Sequence, residues 1–124
     1  MISWLEKHNK LSCIITIIIA IAIFYISSLT AEETFGNGVG INAVIYHITI
    51  FFLMAFFLFV SVIQGKNKKL ILPAIFLVVI YAMLDEFHQY FVPGRVSAFS
   101  DVILDSIGIA FAFILYFICL EYRK

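Results

Sequence analysis

The sequence predicts an all-α integral membrane protein with four transmembrane helices and both termini in the cytoplasm. Of its 124 residues, 64% are hydrophobic and only 13% are charged, against about 25% charged residues in a typical soluble domain. A soluble domain of this length buries only about two-thirds of the surface that its unfolded chain exposes, which is too little to hide so much apolar surface. The length suits one transmembrane domain, residues 1–124, with four spans of roughly 20 residues and short loops.

Four apolar runs supply the predicted spans, at about residues 11–29, 41–63, 70–92 and 101–120. Runs of this length cross a bilayer as helices, because a helix satisfies its own backbone hydrogen bonds in hydrocarbon. A signal peptide is the alternative for the first run. That run is long for a signal peptide, and Leu29-Thr30-Ala31 is a poor cleavage site, so we expect it to be retained as a span.

The lysines and arginines of the short loops indicate the orientation. Arg95 falls alone on one side of a four-span arrangement, and the other seven of the eight cations fall on the opposite side: Lys7, Lys10, Lys66, Lys68, Lys69, Arg123 and Lys124. Because cytoplasmic loops are enriched in Lys and Arg, we expect both termini in the cytoplasm and the loops 30–40 and 91–100 outside. The protein should therefore be a multi-pass protein of the cell membrane.

Ionisable side chains collect at the predicted outer ends of the spans. Such groups are costly at membrane depth and usually face the interior of a bundle or a wet cavity. We therefore predict an outward-facing polar pocket formed by His47, Asp85, Glu86, His88, Gln89, Arg95, Asp101 and Asp105. A divalent cation is a possible cofactor, because hard cations bind carboxylate oxygens, and its candidate ligands are Asp85, Asp101 and Asp105.

Helical spacing supports one shared pocket. Asp85, His88 and Gln89 share a face of the third span, whereas Glu86 is rotated by about 100° from Asp85. A position among lipid head groups is the simpler expectation for Glu86. On the fourth span the two aspartates share a face with two small residues, which should let a neighbouring helix approach closely; these are Gly108 and Ala112.

The connection between the third and fourth spans contains a predicted tight turn. Pro93 and Gly94 suit the two central positions of such a turn, which should fold Arg95 back towards the acids, where it could pair with Asp101 or Asp85. Ser97 or Ser100 should cap the fourth helix.

These motifs together resemble the signature of the VanZ-like membrane proteins. The shared pattern is an acidic pair, a Gln, Pro-Gly-Arg, and then an Asp followed by a polar residue and a Gly. Here it is Asp85-Glu86, Gln89, Pro93-Gly94-Arg95, Asp101, Asp105 and Gly108. His47 matches the histidine of the family's second span, and Ser27-Ser28 match the serines that close its first span.

The sequence departs from the family pattern at two places. The family often has Asn where this chain has Asp105, and it often has an Asp-Lys pair where this chain has Ala43 and Val44. The additional acid makes the pocket more anionic and favours cation binding. The resemblance implies a small multi-span protein of a family named for a member that confers low-level resistance to the lipoglycopeptide teicoplanin, without an established reaction.

Three functions remain open from the sequence. The first is a role in the cell envelope, either in teicoplanin-type antibiotic resistance or in binding a lipid-linked or lipid-tailed ligand whose phosphate or carboxylate meets Arg95. The alternative is a metal-dependent enzyme acting on a lipid phosphate, with His47 or His88 as general acid or base. A proton-coupled transporter ranks last, because the inner halves of the spans have almost no polar groups. Nucleic-acid binding is not expected, because the chain lacks a basic stripe; the sequence does not define the ligand or the oligomeric state.

Overall fold

The computed structural model of the protein describes residues 2–36 and 39–122. Two of the predicted cytoplasmic cations, Arg123 and Lys124, and residues 37 and 38 of a predicted outer loop lie outside this part of the chain. The described residues contain helices and no strand. The helices are α1 (Ile2–Lys7), α2 (Asn9–Ser27), α3 (Ala31–Phe35), α4 (Val39–Ile63), α5 (Ile71–Gln89) and α6 (Phe99–Glu121), with a short 3₁₀ turn at Lys68–Leu70 before α5.

Four of these helices are long and apolar enough to cross a membrane. They cover Asn9–Ser27, Gly40–Ile63, Lys68–Gln89 and Phe99–Glu121. The predicted all-α fold with four spanning helices is confirmed. We call the end at which residues 64–70 join α4 to α5 the lysine end, and the opposite end, at which residues 90–98 join α5 to α6, the polar end.

The boundary of α5 differs from the sequence prediction. The helix ends at Gln89, three residues before the predicted end of the span. Residues 91 and 92 continue instead as two tight turns, in which the Phe91 and Val92 amides donate to the His88 and Gln89 carbonyls at 3.1 and 3.0 Å. Pro93 has no amide hydrogen and cannot extend a helix, so the chain leaves α5 early and turns towards α6.

The centre of the bundle is α4, which packs against α2, α5 and α6. Its inward face is apolar, and Phe51, Ala55 and Phe59 are fully buried. The outward faces of the other helices are also apolar, and more than half of the Ile21 and Leu77 side chains is exposed. Such a surface is suited to hydrocarbon rather than water, and it indicates a lipid bilayer environment.

A glycine determines how closely α6 approaches α4. A Cβ atom placed on Gly108 would overlap the Ile48 carbonyl oxygen and contact the Phe52 amide nitrogen at 3.0 Å. Ala112, one turn further along α6, is fully buried. The missing side chain therefore permits backbone contact between α4 and α6 directly beside the polar end.

Candidate functional site

A histidine–aspartate pair joins α4 to α6 at the polar end. A hydrogen bond of 2.8 Å connects His47 Nδ1 to Asp105 Oδ1, and the two residues are 1% and 0% exposed. Asp101 lies one turn before Asp105, and its Oδ2 is 3.7 Å from His47 Nε2. The imidazole therefore lies between two carboxylates, and the close approach at Gly108 is what brings α6 near enough for this contact.

Arg95 binds main-chain carbonyls rather than carboxylates. Its Nε donates to the Leu29 carbonyl at 2.9 Å and its Nη2 to the Ile26 carbonyl at 2.8 Å. The last carbonyls of a helix have no partner within the helix, and the helix dipole makes that end negative. The guanidinium also lies over the Phe35 ring, 5.3 Å from its centroid.

The sequence left open an ion pair of Arg95 with Asp101 or Asp85, and neither pair forms in the part of the chain that the structure describes. The Arg95 side chain instead extends to the C-terminal end of α2. The turn at residues 92–95 directs it there, and that end of the helix has carbonyl oxygens that can accept its hydrogen bonds. Arg95 therefore caps the C-terminal end of α2. It lines the same cavity as Asp101 but forms no ion pair with it among the described residues.

Glu86 is buried, so the expectation that it lies among lipid head groups is wrong. It is 5% exposed, and its Oε2 accepts a hydrogen bond of 3.0 Å from the Ala98 amide. The Ser97 hydroxyl donates to the Glu86 carbonyl at 2.8 Å and lies 3.3 Å from Oε2. The chain before α6 folds over α5, and this places the carboxylate inside the protein.

The predicted N-cap of the fourth span is wrong, and the contact between Glu86 and the Ala98 amide explains why. The N-cap residue is Ala98, which has no side-chain cap hydrogen bond, rather than Ser97 or Ser100. The carboxylate of Glu86 binds the Ala98 amide from the neighbouring helix, while Ser97 points back to α5. A carboxylate at the N-terminal end of α6 is also favoured by the helix dipole.

The polar residues of α5 divide between two faces. Gln89 Nε2 donates to Asp85 Oδ2 at 2.9 Å, and both side chains are buried. His88 faces α2 instead, where its Nε2 is 2.9 Å from the Ser28 hydroxyl oxygen and its ring stacks on Phe24 at 4.6 Å. The structure therefore separates His88 from the His47–Asp105 pair.

Two adjacent hollows follow from this division. The first, here called the polar cavity, has a volume of about 100 Å³ and is lined by Ala31, Phe35, Ala43, His47, Gln89, Arg95, Val96 and Asp101. The second, here called the apolar groove, has a volume of about 230 Å³ and is lined by Phe24, Tyr81, Leu84, Asp85 and His88. The Asp85–Gln89 hydrogen bond connects a residue of the groove to a residue of the cavity.

Three side chains that could bind a metal ion converge at the inner wall of the polar cavity, which His47 lines. In the described part of the chain, one potential metal-ligand atom from each of His47, Glu86 and Asp105 lies within 4.8 Å of the other two. Of the three aspartates named as metal candidates from the sequence, Asp105 belongs to this group. Asp101 lines the cavity beside it, and Asp85 lines the groove.

Sequence reasoning missed the helix that covers the polar cavity. Thr30 and Glu33 form a capping box at the start of α3, and α3 contributes Ala31 and Phe35 to the cavity wall. The Thr30 amide donates to Glu33 Oε2 at 2.8 Å, and hydrogen bonding with Thr30 lowers the pKa of the Glu33 carboxyl below its ordinary value. The spacing Thr-x-x-Glu is a recognised signal of a helix start and could have revealed this element.

These observations define a small multi-pass membrane protein whose polar side chains gather at one end of a four-helix bundle. The chain belongs to the VanZ/LLP1 family, whose model matches residues 11–120. No curated protein and no solved structure gives a significant match. The resemblance seen in the sequence is therefore confirmed at the level of the family.

Proposed function

We propose that this protein binds a lipid-tailed ligand at the outer face of the cell membrane, with the tail in the apolar groove and the polar head at the polar cavity. The observation that carries the proposal is the position of the two hollows on either side of the Asp85–Gln89 hydrogen bond of 2.9 Å. A molecule that reached past this hydrogen bond would contact both hollows.

The apolar groove supports the tail. Leu84 and Phe24 are 58% and 56% exposed, so the groove between α5 and α2 opens to the side, where lipid chains surround the protein. Apolar walls with a few polar groups are typical of small-molecule sites. His88 and Asp85 supply those polar groups here.

The volume of the polar cavity supports a small head group. Drug-sized molecules occupy pockets of about 300–1,000 Å³, whereas this cavity has about 100 Å³. It therefore accommodates one small polar group and not a whole glycopeptide. A resistance role, if the protein has one, would act through a lipid or through the lipid tail of the drug.

The charge balance indicates which head group fits. Asp101 lines the cavity, and Glu86 and Asp105 lie behind it, whereas two nitrogens of Arg95 are already bonded to carbonyls. Carboxylates therefore outnumber the available cations. An amine or hydroxyl head, which donates hydrogen bonds, suits this lining better than a bare phosphate.

Photo-cross-linking tests the proposal directly. The purified protein in phosphatidylcholine nanodiscs is irradiated with two lipids that carry the same diazirine-bearing acyl chain, phosphatidylethanolamine and phosphatidic acid. We expect adducts concentrated near Phe24 and Leu84, with the ethanolamine lipid favoured when no divalent metal is added. Leu84→Trp, which fills the groove, should reduce these adducts about tenfold, a loss of about 1.4 kcal/mol in affinity.

Leu77→Trp is the matched control. Leu77 lies two turns before Leu84 on the same helix and is 56% exposed, but it does not line the groove. Adducts spread evenly over the lipid-facing surface, or an equal loss in both tryptophan variants, would contradict a specific groove.

Drug sensitivity tests whether the proposed binding serves resistance. Cells with and without the protein are compared for sensitivity to teicoplanin, which carries a lipid tail, and to vancomycin. We expect a larger change for teicoplanin, and the Leu84→Trp variant should abolish it. Equal changes for the two drugs would argue against recognition of the tail.

A second candidate function is an enzyme that acts on a lipid phosphate. The His47–Asp105 pair favours it, because an imidazole oriented by a buried carboxylate can serve as a general base. Phosphate release from phosphatidic acid in detergent, with and without magnesium, is the test. Rates that are zero, or that are unchanged by Asp101→Asn and Asp105→Asn, would remove this candidate.

A further inference from the structure

We infer that His47, Glu86 and Asp105 bind a divalent transition-metal ion between α4, α5 and α6, and that Zn²⁺ and Mn²⁺ fit this donor set best. The three residues come from three different helices and are 1%, 5% and 0% exposed. One ligand atom from each lies within 4.8 Å of the others. This site concerns metal alone and does not depend on the proposed binding of a lipid.

Two carboxylate oxygens at this position are left without a partner. Glu86 Oε1 and Asp105 Oδ2 are fully buried, and neither forms a hydrogen bond with the described residues. An ionised oxygen finds no donor there among the described residues. Because buried polar atoms are nearly always satisfied, a group from outside the chain is needed to complete their coordination.

The remaining atoms of the three residues are already fixed by hydrogen bonds. The other oxygen of Glu86 accepts from the Ala98 amide at 3.0 Å. His47 Nδ1 lies 2.8 Å from Asp105 Oδ1, so an ion shared by these two residues would bind on the Nδ1 side and replace the proton between them, while Nε2 faces Asp101. A hydrogen bond to the second oxygen of a ligand, as at Glu86, sets the orientation of that ligand and increases its basicity.

The charges around the site favour a cation. Four carboxylates gather near His47, and those of Asp85, Glu86 and Asp105 are at most 5% exposed. The guanidinium of Arg95 is directed to the carbonyls of α2 and pairs with none of them among the described residues. A divalent ion would offset two negative charges at the point where two carboxylate oxygens lack a donor.

The donor types select the metal. Mg²⁺ and Ca²⁺ prefer oxygen ligands alone, whereas one imidazole and two carboxylates suit Zn²⁺ or Mn²⁺. Bonds of about 2.0–2.2 Å place ligand atoms roughly 3.5 Å apart, and the three atoms already lie within 4.8 Å of one another, so binding requires only small side-chain movements. Asp101, whose Oδ2 is 3.7 Å from His47 Nε2, lies on the cavity side, from which an ion would enter.

Electron paramagnetic resonance with Mn²⁺ tests the site without altering it. The protein is treated with a chelator, placed in phosphatidylcholine nanodiscs and titrated with Mn²⁺. The chain carries His8→Gln and His88→Gln, so that His47 is its only histidine. We expect one bound Mn²⁺ per chain, displaced by Zn²⁺, with a nitrogen coupling that changes when the histidine is labelled with ¹⁵N.

Substitutions then assign the ligands. Glu86→Gln and Asp105→Asn should each weaken Mn²⁺ binding at least tenfold. Asp85→Asn, which neutralises a neighbouring buried carboxylate outside the group of three, should weaken it less than either. Each variant is first shown to be monodisperse and helical.

Three results would overturn the inference. They are the absence of Mn²⁺ or Zn²⁺ binding by the unsubstituted site, a bound ion without histidine nitrogen coupling, and an Asp85→Asn variant that loses as much affinity as Glu86→Gln. If neither Mn²⁺ nor Zn²⁺ binds, water is the remaining partner for Glu86 Oε1 and Asp105 Oδ2. None of the three involves the cross-linking lipids or the apolar groove, so failure of the lipid proposal is measured separately.

Discussion

Gly108 of α6 lies against the carbonyl oxygen of Ile48 in α4, so closely that a side chain at this glycine would overlap it. The contact has a chemical consequence because His47 precedes Ile48 and Asp105 lies one turn before Gly108. The two backbones meet, and the imidazole and the carboxylate come within 2.8 Å of each other. Helix packing and the geometry of the candidate site therefore depend on the same contact.

Gly108→Ala should destabilise the protein, although alanine is the better helix former. Overpacking typically costs about 1–3 kcal/mol, and the contact here is with backbone, which yields less than a flexible side chain. Gly40→Ala is the control, because no atom of the described residues lies within 4 Å of an added Cβ at that position; it should be neutral or slightly stabilising. The midpoint of thermal unfolding in detergent distinguishes the two, and equal midpoints would contradict the close approach.

Asp105 should tolerate asparagine better than leucine. Asparagine retains an oxygen for His47 and is the residue that the family often has there, whereas leucine leaves a buried imidazole without its partner. Removing one member of a buried pair costs about 3–5 kcal/mol. We expect Asp105→Asn to fold with a small loss of thermal stability and Asp105→Leu to lose most of it. Similar stabilities of the two variants would show that the hydrogen bond contributes little.

Arg95 should be irreplaceable by lysine. Its planar fork donates through two nitrogens to the Leu29 and Ile26 carbonyls, and an ammonium group cannot reproduce this geometry. Hydrogen bonds of a charged group are worth about 1.5–3 kcal/mol. Amide hydrogen exchange at the end of α2 should accelerate in Arg95→Lys and remain unchanged in Lys69→Ala, which removes an exposed cation. Slow exchange in Arg95→Lys would show that charge alone is sufficient.

The orientation in the membrane is a separate prediction. Cells express a chain without native cysteines that carries either Val96→Cys at the polar end or Lys69→Cys at the lysine end, and they are treated with an impermeant maleimide. Val96 is 81% exposed, so a cysteine there should be labelled in intact cells. The cysteine at position 69 should react only after lysis. The reverse pattern would place the polar cavity on the cytoplasmic side.

The four helices could be predicted from the sequence because apolar length alone defines a span. The gathering of polar residues at one end also follows from their positions along the spans. The partner of Arg95 could not be predicted, since unpaired carbonyls exist at the end of every helix and leave no mark in the sequence. Glu86 was misjudged because helical periodicity gives the direction of a side chain but not which loop covers it.

The most direct test of this account is the nuclear magnetic resonance spectrum of the His47 side-chain nitrogens in the protein reconstituted in lipid. The account predicts a strongly hydrogen-bonded Nδ1, whose resonance shifts in Asp105→Asn by far more than in Asp85→Asn. Assignment comes from His47→Gln, which removes the signal. A His47 spectrum that is the same in Asp105→Asn as in the unsubstituted protein would contradict the contact on which the polar site depends.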